Sequence, residues 1–83
     1  MEEKRAAPRT EVLQSGIVAS GGWNTGCTVR NISSHGAAID VFDASAVPQN
    51  FDLKIDGEQL VRSCHIVWTN KNRIGLEFTV TEN

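Results

Sequence analysis

The feature that most limits what this chain can fold into is its apolar rhythm. Apolar residues recur every second position in short runs, and turn-forming clusters interrupt them. No stretch of 11 or more residues keeps the 3.6-residue period of an amphipathic helix, whereas alternation over four to eight residues is the mark of a half-buried strand. Phe51, Leu53 and Ile55 alternate with Asp52 and Lys54, and Ile74, Leu76, Phe78 and Val80 share one face of the segment from Arg73. Ala37, Ile39 and Val41 alternate with Ala38 and Asp40 over 37–42. In 27–32 the same rule sends Cys27, Val29 and Asn31 one way and Thr28, Arg30 and Ile32 the other. Glu11 to Val18 is β-prone, and Gln59 to Thr69 reads as one long strand or two joined by a bulge.

The punctuation is as informative. Ser20 to Gly26 reads as a loop, and Ser33-Ser34-His35-Gly36 as a tight turn. Asp56-Gly57 is a hairpin signal, Asn70-Lys71-Asn72 turns the chain, and Asp43 to Asn50, with Pro48, is a connection that could hold one helical turn. The sum is an all-β chain of about six strands, a small barrel or sandwich. Closing the sheet into a barrel would remove the edges a small sheet must otherwise protect.

Size and charge narrow the function. Eighty-three residues make one small domain, too small to sequester a multi-step active site, so the chain is not expected to be an enzyme. Eight basic against ten acidic residues speak against a nucleic-acid groove, which needs a basic excess. Five aromatics without a Tyr do not furnish the stacking face of an oligonucleotide-binding barrel. No apolar run approaches the roughly 20 residues of a membrane-spanning helix, and nothing near Met1 resembles a secretory signal, so a cytoplasmic location is expected. Cys27 and Cys64 are far apart, outside any CxxC, and read as small buried apolar side chains; Cys64, His65 and His35 lack zinc-ligand spacing, so no metal is expected.

Two short segments could carry binding chemistry. Lys4-Arg5-Ala6-Ala7-Pro8-Arg9 holds three cations and no acid, while the remaining residues hold five bases and ten acids. Two arginines four apart span about 13 Å in an extended chain, suited to a ligand with separated anionic groups or a phosphate and a purine edge. The alternative is a solvated terminal tail. Asn31-Ile32-Ser33-Ser34-His35-Gly36 leaves a strand for a turn, with Asn31 and Ser33 two apart and so expected on one face, offering donors and acceptors for a base edge. Gly36 permits a positive φ or a close backbone approach, and the whole segment could equally be a plain turn.

Together the two segments resemble the signature of the PilZ domain, a bacterial receptor module for cyclic di-GMP: RxxxR, then (D/N)xSxxG. Arg5 and Arg9 fit the first element, and Asn31, Ser33 and Gly36 fit the second, 22 positions after Arg9. Cys64-His65-Ile66-Val67-Trp68 and Arg73-Ile74-Gly75-Leu76-Glu77-Phe78 look like the closing strand pair, so the resemblance spans almost the whole chain. It implies a six-stranded antiparallel barrel over 11–83 with a flexible flap at 1–10. It implies that Arg5 and Arg9 hold phosphates and guanine edges, that Asn31 and Ser33 bond guanine, and that Gly36 leaves room for it. Lys4 would add a phosphate contact. Trp68 would lie near the ligand or serve as a core or rim aromatic. Many members carry a C-terminal helix, and none is expected here. The expected function is cyclic di-GMP reception without turnover or cofactor, by a monomer or weak dimer that signals to a protein partner. The alternative is an interaction adaptor with no nucleotide affinity.

Overall fold

In the computed structural model, the described residues are 10–79. Six strands run β1 Thr10–Ser20, β2 Trp23–Ile32, β3 Gly36–Val41, β4 Asn50–Ile55, β5 Val61–Asn70 and β6 Arg73–Phe78, with one 3-10 turn at Ala44–Ala46. Every pairing is antiparallel, and the sheet closes in the order β1-β2-β3-β6-β5-β4 and back to β1. This is the six-stranded antiparallel barrel that the family resemblance implies, with the strand count read from the alternation.

The interior is the apolar half of that alternation. Val18, Val29, Ile39, Leu53, Ile55 and Ile74 are fully buried, one or two from each of five strands, and β5 contributes Cys64. Phe51, Ala37, Val41 and Leu76 complete the layer, and Ala44 and Val47 from the β3–β4 connection close one end. Asp43 caps the 3-10 turn there, accepting from Ser45 N at 3.1 Å and Ser45 Oγ at 2.7 Å. Both cysteines are free, with Cys64 buried and Cys27 half-buried. Burial, helped by Asp56, pushes the Cys27 thiol up to about 11, and burial with Asp52 pushes Cys64 up to about 12.

The structure corrects the sequence reading at two places and decides between its alternatives at a third. The expected loop over 20–26 is a two-residue hairpin: Gly21 and Gly22 take φ of 56° and 87°, and Ser20 already pairs with Trp23. Positive φ at both central residues matches the twist of the flanking strands, so pairing can run to the turn itself. Asn24 and Gly26 are therefore strand residues on the outer wall, not loop. The segment before Trp68 is one strand, β5, with a bulge between Ile66 and Trp68; Gln59 and Leu60 precede it. A second bulge lies between Val29 and Asn31 in β2. One extra residue reverses the alternation beyond it. Asn31 therefore does not share a face with Val29: it pairs with Ala38 on the outer wall, while Ile32 packs against the core.

Candidate functional site

The bulges at Arg30 and Val67 act as a pair. Without them, strict alternation would aim Asn31 and Trp68 into the barrel. With them, both point outward on one line across four strands: Asn31 on β2, Ala38 on β3, Gly75 on β6 and Trp68 on β5. Small residues, Ala38 and Gly75, occupy the two middle positions. Ala38 is only 2% exposed although it lies on the outer wall. A methyl group at Gly75 would overlap the Trp68 indole, meeting Cζ2 at 2.6 Å, so that ring lies directly over the glycine. Trp68 remains 42% exposed, and its ring is available from the solvent side.

At the other end of the line, Asn31 brings an unsatisfied group. Its Oδ1 is buried and has no hydrogen-bond partner among the described residues. A buried acceptor without a donor costs about 1–3 kcal/mol, a penalty a ligand's N–H can relieve.

The turn beside Asn31 is built by Ser33. Its N–H donates to the Gly36 carbonyl at 2.8 Å. Its Oγ accepts from the N–H groups of His35, at 3.2 Å, and Gly36, at 3.3 Å. The hydroxyl also lies 3.3 Å from the Gly36 carbonyl, to which it donates. The Ser33 side chain is thus engaged inside the turn rather than held free on the face of Asn31. Gly36 shows the second of its two sequence-stated uses. Its φ is not positive; instead, a side chain there would overlap the Leu76 carbonyl oxygen and stand 3.1 Å from Glu77 Cα. The glycine lets β3 start hard against β6, where Phe78 N donates to the His35 carbonyl at 2.8 Å. His35 is exposed, and its Nδ1 lies 3.2 Å from Ser34 Oγ.

An ion cluster borders the line one row away. Arg73 grips Asp40 with two bonds, Nε to Oδ1 at 2.6 Å and an Nη to Oδ2 at 3.1 Å, and Arg30 Nε stands 3.7 Å from the same carboxylate. These bonds and charges hold the Asp40 carboxyl below its ordinary range and raise Arg73. Neither short binding motif of the sequence includes Arg30, Asp40 or Arg73. The signal that could have joined them is the period-2 pattern, since Asp40 pairs with both Thr28 and Arg73 across β3. On the opposite border His65 Nε2 meets Glu77 Oε1 at 3.2 Å, while its neighbour Cys64 faces the core.

The amino-terminal motif lies outside the described residues, which covers Lys4, Arg5 and Arg9. Its point of attachment does not. Thr10 pairs with Ile32 and Glu11 with Asn31, so β1 starts beside the Asn31–Gly36 turn.

A sequence profile of the PilZ domain matches residues 3–83. The chain belongs to the PilZ domain family. PilZ domains are binding modules rather than enzymes. A crystal structure of the PilZ domain of CeSA from cellulose synthesizing bacterium is similar to it in fold, with a TM-score of 0.70 at 20% identity over 90% of this chain and 83% of that one. No curated protein matches the chain. Among the described residues of this PilZ domain, no three His, Cys, Asp or Glu side chains gather as a metal site, and no helix is long and apolar enough to cross a membrane.

Proposed function

We propose that this PilZ domain is a cytoplasmic cyclic di-GMP receptor that binds the dinucleotide without transforming it and passes the signal to a protein partner. One observation carries the reading: β1 pairs Thr10 with Ile32 and Glu11 with Asn31, so the strand that follows the amino-terminal motif in the chain begins beside the Asn31–Gly36 turn.

Each part then has a task that its chemistry suits. Arg5 and Arg9 approach the wall from the start of β1 and hold phosphate oxygens or the O6 and N7 acceptors of guanine in bidentate forks. Lys4 supplements the phosphate contact as a point charge. Asn31 supplies the acceptor that lacks a donor, matching the N–H groups of a guanine edge. Ser33 and Gly36 act mainly by fixing the turn that presents Asn31, a role their engaged bonds and close packing support. Trp68 offers the exposed side of its indole for stacking across the small residues Ala38 and Gly75.

Calorimetric titration with cyclic di-GMP tests the reading. Binding is expected in the wild type, and Arg5→Ala and Arg9→Ala are each expected to weaken it at least tenfold, since a charged hydrogen bond contributes about 1.5–3 kcal/mol. A wild-type chain that takes up no nucleotide would overturn the receptor reading and leave the adaptor.

A further inference from the structure

Cations are scarce on the described barrel, and they are not spread evenly. Residues 10–79 hold five: Arg30, Lys54, Arg62, Lys71 and Arg73. Two are tied to one residue, Lys54 to the Glu58 carbonyl and Arg62 to the Glu58 carboxylate. The other three stand along one border of the Asn31–Trp68 line. Arg30 adjoins Asn31 in the chain, and Arg73 lies two residues before Gly75 on β6, on the same outer face. The acid between them, Asp40, takes two bonds from Arg73 and meets Arg30 only through Nε at 3.7 Å. The turn that precedes Arg73 adds an independent observation. Lys71 is exposed and has a φ of 60°, the left-handed region that a residue with a Cβ rarely enters. It is the one non-glycine residue to do so among the described residues. Backbone strain of this kind collects at binding sites. Val41 N donates to the Asn72 carbonyl at 2.9 Å, which ties the turn to the end of β3. An open cleft there is lined by Asp40, Asn70, Lys71, Asn72 and Arg73, all polar, together with Val41.

We propose that Arg30, Lys71 and Arg73 form an anion subsite on the barrel wall that takes a phosphate of the nucleotide. The proposal rests on the receptor reading and adds to it a set of contacts that neither short motif contains. Arg73 stands about 6.6 Å along β6 from Gly75, at 3.3 Å per residue. A ribose covers a step of that size, so a base held on the Asn31–Trp68 line brings its own phosphate over this border. Arg73 keeps guanidinium N–H donors that Asp40 does not use, and its plane is already fixed by that carboxylate, so little freedom is lost when they bind. Arg30 supplies a second fork, and Lys71 a flexible point charge. Local charge matters more than the total here. Residues 10–79 carry five Lys and Arg against seven Asp and Glu, yet this border holds three cations to one carboxylate. Exposed charges farther off than the screening length, about 8 Å in physiological salt, act on the phosphate weakly.

Calorimetric titration of the full chain with cyclic di-GMP, at about 50 mM and about 300 mM salt, tests this. Arg30→Gln and Lys71→Gly are each expected to weaken binding at least about threefold at the lower salt, and to lose less affinity than the wild type on going to the higher. Lys71→Gly separates binding from folding. Glycine accepts the left-handed conformation without strain, so this variant is expected to melt at or above the wild-type temperature while its affinity falls. A lysine that serves the turn alone would give the same melting behaviour with affinity unchanged. Either folded variant binding as tightly as the wild type, with the same salt dependence, overturns the subsite and leaves the receptor reading standing. A wild type that takes up no nucleotide overturns both.

Discussion

Replacing Gly36 by Ala isolates what the last residue of the NxSxxG motif does for the barrel. The added methyl would overlap the Leu76 carbonyl oxygen and come to 3.1 Å from Glu77 Cα and 3.2 Å from Leu76 C. All three are backbone atoms of β6, so no side chain can swing aside. Either β3 and β6 separate at their first pair, Gly36 with Glu77, or the methyl is squeezed in place. Overpacking of this kind costs about 1–3 kcal/mol, and backbone obstruction puts the cost at about 2 kcal/mol or more. In a domain of this size each kcal/mol moves Tm by about 4–8 °C, so a fall of at least about 8 °C is expected in the ligand-free protein. Thermal unfolding followed by circular dichroism measures it, with Gly26→Ala as the control because a methyl there meets nothing within 4 Å. If Gly36→Ala melts together with Gly26→Ala, the close approach of β3 to β6 is not what the glycine provides.

Other expectations follow from particular contacts. Gly75→Ala drives the Trp68 indole off the wall, so in a Trp23→Phe background its emission should shift to longer wavelength; an unchanged spectrum would contradict the stacked placement. Both thiols, raised to about 11 and about 12, should react with a disulfide reagent at pH 8 at least about a hundredfold more slowly than a free cysteine, and reach the free rate in urea; rapid labelling of the folded chain would contradict their burial. Asp40 has a carboxyl lowered by Arg73, so its contribution is present above the unfolded carboxyl value of about 3.9 and fades as pH falls through the lower folded value. Because the pair is partly exposed, Asp40→Asn should cost under about 1 kcal/mol at neutral pH, and the gap between urea melts of the two proteins should narrow as pH falls below the unfolded carboxyl value. A gap that does not change with pH would assign Asp40 some other role.

Much of this barrel was legible in the chain because strand alternation and burial have the same period. Phe51, Leu53 and Ile55 face the core as their spacing requires, and Ile74 and Leu76 do likewise. The sequence could not show where that period breaks. A bulge is one extra residue with no compositional mark, and those at Arg30 and Val67 decide which face Asn31 and Trp68 take. The Gly21-Gly22 turn was hidden for a related reason: Asn24, Thr25 and Gly26 have loop composition, yet positive φ at two glycines lets pairing begin at Trp23. In the site, the motif letters marked Asn31, Ser33 and Gly36, but not the division of work among them. Asn31 holds the unpartnered acceptor, Ser33 ties the turn, and Gly36 admits β6. Asp40, Arg30 and Arg73 belong to no motif and are joined only by register.

The most direct test is a titration of the full chain with cyclic di-GMP, followed residue by residue by amide nuclear magnetic resonance. Binding at the proposed place should shift the amides of Asn31 to Gly36, of Ala38 and of Gly75, the side-chain amide of Asn31 and the indole N–H of Trp68. Spectra that stay unchanged at about 100 μM nucleotide, a concentration that would reveal even binding of about −5.5 kcal/mol, would contradict it.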